Sequence, residues 1–391
     1  MDFIPYSCQN ISDADIAAVV AVLRSEYLTQ GPVGPAFEAA FAERHRVAHA
    51  VAVSNATAGL HLACLALGVG PGKRVWTTPN SFLASANCAL YCGAAIDFVD
   101  IDPVSRNLSV ERLAEKLEVA RRDGTLPHVV IPVDFSGLPC DLLPMRELAD
   151  RYGFALLEDA SHATGASYLG QPVGSAHADA SVFSFHAVKV VTTAEGGLVT
   201  TRDATLAHRL RLLRSHGMTR ASADLVRASE GDWYYEQIDL GHNCRMTELQ
   251  AALGLSQLGR LTEMQTRRER LADRYDRLLA GLPLILPPRL ADRTSAWHLY
   301  AVEIDEQRTP VSRAAVFAAL RAARIGVNVH YIPIHTQPYY ERLGFRADDC
   351  PASLHYYRRA LSIPLFPQLT DADQERVVQV LADALAPAPV R

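Results

Sequence analysis

The 391-residue sequence has no apolar stretch long enough to cross a bilayer, although 49% of its residues are hydrophobic. It therefore has the material for a large core without a membrane span. Its opening, MDFIPYSCQNISDADI, lacks the basic segment and apolar run of a secretory leader, so a cytoplasmic location is the expectation. A basic tail or stripe is also missing. With a formal net charge of -5 and scattered Lys and Arg, the chain offers nothing to track a phosphate backbone, which argues against nucleic-acid binding. Tight cysteine pairs are absent: the seven cysteines are odd in number and follow no CxxC spacing, so neither a disulfide framework nor a zinc site is expected. Cys88 and Cys92 share a helical face, but no further ligand pair accompanies them. There is no internal repeat and no low-complexity segment.

What is present is a strand and helix rhythm. Apolar runs at AVAV, VWTT, IDFVDI, HVVIPVDF and FALLED alternate with helical segments, the pattern of a mostly parallel α/β sheet with helices on both faces. Before it, ISDADIAAVVAVLRSEYL reads as a helix with Ser12 as N-cap, broken by YLTQGP. After it, RMTELQAALGLSQLGRLTEMQTRRERLADRYDRLLAGL reads as a long helical region leading to a smaller α+β part with WHLYAVEI, a helix around Arg313 to Ala323 and a last helix from Asp371 to Leu385. The expected division is a large domain over 1–262 and a small C-terminal domain over 263–391.

Open α/β sheets bind ligands beyond the carboxyl ends of their strands. Asn55 to Thr57, Phe82, Asp134 and Asp159 all follow such runs, and this shared placement points to one site. SNATAGLHLA puts small residues and Thr57 at a helix start, where free N–H groups and the positive dipole end suit a phosphate. GVGPGKR lacks the ending of a P-loop and reads as a turn. Lys189 lies alone between the aromatic run FSFHAVK and TTAEGG. A buried lysine loses its proton more easily and can attack a carbonyl, the start of Schiff-base chemistry. An aldehyde cofactor with a ring nitrogen also needs a carboxylate, and Asp159 in EDASHA is placed to supply one, although it could equally cap a following helix. His162 and Phe82 could lie on the two faces of such a ring.

YLTQGP, SNATAGLHLA, EDASHA, FSFHAVK with TTAEGG, GHNCRMTELQAALG and VHYIPIHTQPYY resemble, in order, the signatures of the DegT/DnrJ/StrS sugar aminotransferases, which use pyridoxal phosphate (PLP). The resemblance runs from Ile4 to about Pro367. It implies the fold type I architecture of PLP-dependent transferases, with Lys189 carrying the cofactor as a Schiff base and Asp159 pairing with the pyridine nitrogen. It further implies His162 against the ring or its hydroxyl, and Ala56, Thr57 and Ser184 on the phosphate. Asn243 would reach the phosphate of the other subunit's site, making a homodimer the minimal active form. Asp134 stands where many members have histidine, and Ala187 where proline is common.

IPYSCQ, WYYEQ, ALGLSQL and HYIPIHTQPYY are similar to the PseC-type transaminases of pseudaminic acid biosynthesis. This implies transfer of an amino group, from glutamate, to the 4-keto carbon of a UDP-linked 2-acetamido-2,6-dideoxy hexos-4-ulose. Tyr6, Leu28, Thr29, Gln30, Gly31, His330 and Tyr331 would then line the sugar-nucleotide pocket. A transaminase for another nucleotide-linked 4-keto sugar stays open, since one stereocentre alters pocket shape and not the cofactor motifs. A dehydratase of the same fold would have His in place of Lys189, and a non-catalytic scaffold would be expected to have lost Lys189 or Asp159.

Overall fold

The computed structural model describes residues 2–386, so the last five residues of the expected small domain lie outside the described residues. Its centre is a seven-stranded sheet of β1 (His49–Val53), β2 (Arg74–Thr77), β3 (Ala95–Phe98), β4 (Val129–Ile131), β5 (Ala155–Asp159), β6 (Ala180–Ser184) and β7 (Gly197–Thr201). The spatial order is β1-β7-β6-β5-β4-β2-β3. Only β7 runs against its neighbours, β1 and β6; the other pairings are parallel. Helices on both faces explain why β4 and β6 are buried at every position and why β4 reads as an unbroken apolar run. β1 to β5 lie where the apolar runs put them. β7 was not legible: GLVTT begins with Gly and is too short to distinguish itself from a turn.

The helices flanking this sheet are α1 (Asp13–Leu23), α2 (Val33–His45), α3 (Ala56–Ala66), α4 (Ala84–Tyr91), α5 (Val110–Asp123), α6 (Leu142–Tyr152), α7 (Ala204–Arg214) and α8 (Glu248–Gly259). Ser12 caps α1 through a reciprocal capping box with Asp15. α8 has the same device in Thr247 and Gln250. The long helical region is two helices, α8 and α9 (Leu261–Leu279), with a break at Arg260, whose guanidinium reaches the buried Asp15 carboxylate at 3.0 Å. Periodicity could not show this break, because apolar residues recur at helical spacing on both sides of it.

A second, three-stranded antiparallel sheet carries Tyr300–Ile304 between Leu284–Ile285 and Ala360–Ile363. Its core takes Leu271, Tyr275 and Leu279 from α9, Val316 and Leu320 from a helix at Arg313–Ala322, and Val377, Leu381 and Leu385 from the final helix, Asp371–Leu385. Leu261 and Met264 of the same α9 pack instead with Phe37, Phe183 and Phe185 in the large core. The N-terminal segment crosses over: Ile4 bridges Ile325 and joins the second core.

Candidate active site

The ends of β1, β2, β4, β5 and β6 open toward one region. β1 leads into α3, where the Asn55 side chain caps Ala58 N at 2.8 Å. Asn55 O accepts from Gly59, so the amides of Ala56 and Thr57 precede the helical hydrogen-bond ladder at the positive end of α3. Ser184, at the end of β6, pairs in register with Gly197 of β7. A Cβ on Gly197 would lie 2.6 Å from Ala56 N, so only glycine lets β7 pass this closely under the start of α3. Ser184 is thereby brought close to Ala56 and Thr57 at the positive end of α3.

Lys189 follows in the loop after β6. Its own N–H donates to His186 O at 2.9 Å, while Thr193 N donates to Phe185 O at 2.9 Å, which folds the loop back on the strand end. Ser7 of the N-terminal segment fastens the loop through a 3.3 Å hydrogen bond to Val188 O. Burial pulls the Lys189 amine down to about 8, and the opposing attraction of Asp159 is the smaller effect. Asp159, at the end of β5, is buried. Its Oδ2 accepts from Ser85 Oγ of α4 at 2.6 Å, and Ser85 in turn shares a 2.6 Å bond with Ser81. Its Oδ1 accepts from Ser161 N at 3.1 Å, an Asx-type turn; no helix starts there, so the helix-cap alternative has no helix to cap.

His162 lies between two partners. Its Nδ1 accepts from Ser136 N at 3.2 Å, so the neutral ring carries its proton on Nε2 and donates it to Tyr331 Oη at 3.1 Å. Burial first, and the nearby Lys189 charge next, push its pKa well below the usual histidine value and keep the ring neutral. Burial likewise pushes the Tyr331 phenol up, so it stays protonated. With one lone pair of Tyr331 taken by His162, its own O–H is free to donate elsewhere. Phe82 is exposed and its ring lies 6.5 Å from that of Tyr331, which stacks on His162 at 6.1 Å. His330 bonds Ser362 Oγ through Nδ1 at 2.8 Å, and Tyr6 lies 5.9 Å from its ring. Burial, with Lys189 second, holds His330 down at about 3.

Not every expected residue joins this cluster. Leu28, Thr29, Gln30 and Gly31 form a turn tied to α8, with Thr29 bridging Thr247 and Gly31 packed on the Glu248 carboxylate. Asn243 is exposed on the segment whose Cys244 O accepts from Ser54 N at 2.8 Å. Asp134, grouped with the site by its position after β4, points away from it. Its Oδ1 accepts from Cys140 N at 2.8 Å, and the rest of its carboxyl faces Glu158 in the interior. Burial raises both acids, so the pair retains a proton at neutral pH.

Four contributors were not read from the sequence. Ser85 supports Asp159, Ser136 sets the His162 tautomer, Ser7 braces the lysine loop, and His298 packs its ring 4.5 Å from that of His162. Only WHLYAVEI, where a histidine interrupts an otherwise apolar strand start, gave a signal for His298. Among the described residues no cluster of three or more His, Cys, Asp or Glu is arranged to hold a metal ion, and no helix is long and apolar enough to cross a membrane.

Known proteins match this chain over nearly its whole length. The family model described as the DegT/DnrJ/EryC1/StrS aminotransferase family matches residues 9–382. The spore coat polysaccharide biosynthesis protein SpsC of Bacillus subtilis is 40% identical over 384 residues, covering 97% of each chain. Among solved structures, Helicobacter pylori PseC, an aminotransferase involved in the biosynthesis of pseudoaminic acid, superposes with a TM-score of 0.89 at 30% identity, over 98% of this chain and 99% of that one. The PLP form of the putative sugar aminotransferase Spr1654 from Streptococcus pneumoniae gives a TM-score of 0.86 at 28% identity, over 98% of both chains. The chain belongs to the DegT/DnrJ/EryC1/StrS aminotransferase family and is a PLP-dependent sugar aminotransferase of the fold type I architecture.

Proposed function

We propose that this enzyme moves an amino group from glutamate to the 4-keto carbon of a UDP-linked 2-acetamido-2,6-dideoxy hexos-4-ulose, giving UDP-4-amino-4,6-dideoxy-N-acetyl-L-altrosamine. The observation that supports the choice of sugar is the end-to-end likeness to PseC. A second reading, amination of another nucleotide-linked 4-keto-6-deoxy sugar, is favoured by the higher identity to SpsC, a spore coat polysaccharide biosynthesis protein.

The residues present fit PLP. The start of α3 with Ser184 suits its phosphate, the buried and serine-supported Asp159 suits a protonated ring nitrogen, and a buried lysine with a depressed pKa lies within electrostatic reach of Asp159. When bound, PLP supplies a carbonyl for the amine and a ring that draws off the electron pair left on carbon as a proton departs. Each remaining task falls to this chain. In our proposal Lys189 Nζ, freed by the donor, would carry the proton from the donor's alpha carbon to the cofactor's aldehyde carbon, and in the second half would carry a proton from that carbon to the sugar's former keto carbon. A group near 8 can do both at neutral pH, being present in both protonation states. Asp159 stays fixed by Ser85 and the Ser161 amide, so its charge remains aimed at one place. His162, locked as the Nε2–H tautomer, orients Tyr331 so that the phenol donates into the pocket toward the substrate.

The large domain would end near residue 262 and the active unit would be a homodimer, with the partner's Asn243 completing the phosphate cradle. Leu28 to Gly31 would line the pocket for the nucleotide sugar. The deciding experiment incubates the enzyme with glutamate and a panel of UDP- and dTDP-linked 4-keto sugars and assigns the product stereochemistry by NMR. A product other than the L-altro configuration from the UDP substrate would favour the second reading.

A further inference from the structure

Arg268, on α9, is a buried cation without a counter-ion. It is 1% exposed, and its Nη1 donates to three carbonyls: Trp297 O at 3.0 Å, Leu365 O at 3.2 Å and His298 O at 3.5 Å. Its Nε is sealed from solvent with no partner, and among the described residues no carboxylate lies within ion-pair distance of it. Burial alone lowers its guanidinium to about 10, so it remains charged at neutral pH. An uncompensated buried charge is costly, and a fold that keeps one has a use for its field or fills the vacancy with an anion.

The segment that Arg268 holds leads into the active site. Trp297 adopts a left-handed backbone conformation, φ +48°, unusual for a large side chain, and the next residue is His298. Ala296 N donates to Gly137 O at 2.9 Å and Leu299 N to Ser136 O at 3.3 Å, so the segment is laced to the loop that orients His162. His298 is 3% exposed, its ring is tilted against that of His162 with centroids 4.5 Å apart, and its Nδ1 is buried without a partner. Burial first, and then the Lys189 and Arg268 charges, keep it neutral. It is therefore a histidine with unused hydrogen-bonding capacity, next to the reactive lysine and backed by a lone positive charge.

We infer that His298 receives a carboxylate of the amino-acid donor, with Arg268 as the positioning residue that fixes the His298 backbone and supplies the attractive field behind it. The donor carries its negative charge on carboxylates close to the reacting carbon, whereas the nucleotide sugar carries its charge on a diphosphate remote from the keto carbon, so a positive field at this point acts chiefly on the first substrate of the exchange. This rests on the reading of the chain as a transaminase using an acidic amino acid.

The test is calorimetric titration of the PLP-loaded enzyme with glutarate, which keeps both carboxylates of glutamate but has no amine to react. UDP-N-acetylglucosamine serves as the probe of the nucleotide-sugar pocket. His298→Asn and Arg268→Gln should weaken glutarate by about tenfold or more, the scale of one hydrogen bond to a charged group. Arg268→Lys, which keeps the charge, should recover most of the loss, and UDP-N-acetylglucosamine affinity should stay unchanged in all three. Unaltered glutarate affinity in His298→Asn overturns the inference, as does an equal loss of both probes or a failure of Arg268→Lys to rescue. If Arg268→Gln does not fold, His298→Asn decides. A wild type that changes its cofactor absorbance with glutamate but does not bind glutarate refutes this site alone. One that reacts with no amino acid refutes the transaminase reading and this inference with it.

Discussion

Replacing Asp159 with asparagine separates two effects that the site couples. Its carboxylate raises the Lys189 pKa while burial lowers it, and burial wins, leaving the amine at about 8 against an ordinary value of 10.5. At pH 7 about a tenth of such an amine is neutral, against roughly three in ten thousand for an ordinary lysine, an advantage of about three-hundredfold in nucleophile. Asp159→Asn removes the opposing attraction, so the amine should fall below 8 and its neutral fraction at pH 7 can rise by at most about tenfold. Turnover should move the other way, falling by orders of magnitude, because nothing then keeps the ring nitrogen protonated. Trace labelling of the cofactor-free enzyme with acetic anhydride across pH, followed by peptide mass spectrometry at Lys189, reads the amine directly. A wild-type midpoint near that of an ordinary lysine would refute the burial argument. An unchanged or higher midpoint in Asp159→Asn would show that the two groups are not coupled, and near-wild-type turnover would reduce Asp159 to holding the Ser161 turn.

Borohydride reduction of the PLP-loaded enzyme should fix the cofactor to Lys189, located by peptide mapping; label on another lysine, or none, would remove the central residue of the mechanism. Lys189→Ala should still hold PLP through the phosphate cradle and lose multiple turnover. Mixing Lys189→Ala with Asn243→Ala subunits under exchange conditions should recover activity, since one site of the mixed dimer would combine an intact Lys189 with an intact Asn243; activity at the average of the two mutants would refute the shared site. The Asp134 and Glu158 pair gives a pH signature. Because burial raises Asp134 from 3.8 to about 7, the folded state binds more protons than the unfolded chain across that interval, so this contribution to stability is present below about pH 4 and is lost as pH rises through about 7. Thermal unfolding of Asp134→Asn should therefore show a shallower decline between those pH values than the wild type, and an equal decline would place the titration elsewhere.

The strands that carry the chemistry were legible because their environment simplifies their sequence. Covered on both faces, β4 and β5 are mostly apolar up to their carboxyl ends, and the acidic pair that closes β5 at Asp159 stands out, whereas Ser184 of β6 was pointed to by the family resemblance alone. The cradle at Asn55 to Thr57 was readable for a similar reason, since N-capping is a local interaction between neighbours in sequence. Placement after a strand was not enough for Asp134, because the same strand end can direct one carboxylate into the pocket and another into the interior, where Glu158 meets it.

What the sequence by itself determined is therefore the set of groups whose roles depend on their own segment: the lone Lys189 in its aromatic run, Asp159 at a strand end, the capped start of α3 and the order of these motifs along the chain. The tertiary structure decided everything that depends on a partner far away in the chain. Ser85 reaches Asp159 across 74 positions, Tyr331 reaches His162 across 169, and Ser7 reaches Val188 across 181. No periodicity records such pairings, because the energy of a hydrogen bond depends on distance and direction in space and not on separation along the chain. The same holds for charge. Arg268 on its amphipathic helix reads as one more solvated cation, and only the packing of α9 against the Trp297 and Leu365 carbonyls turns it into a buried charge that lacks an anion.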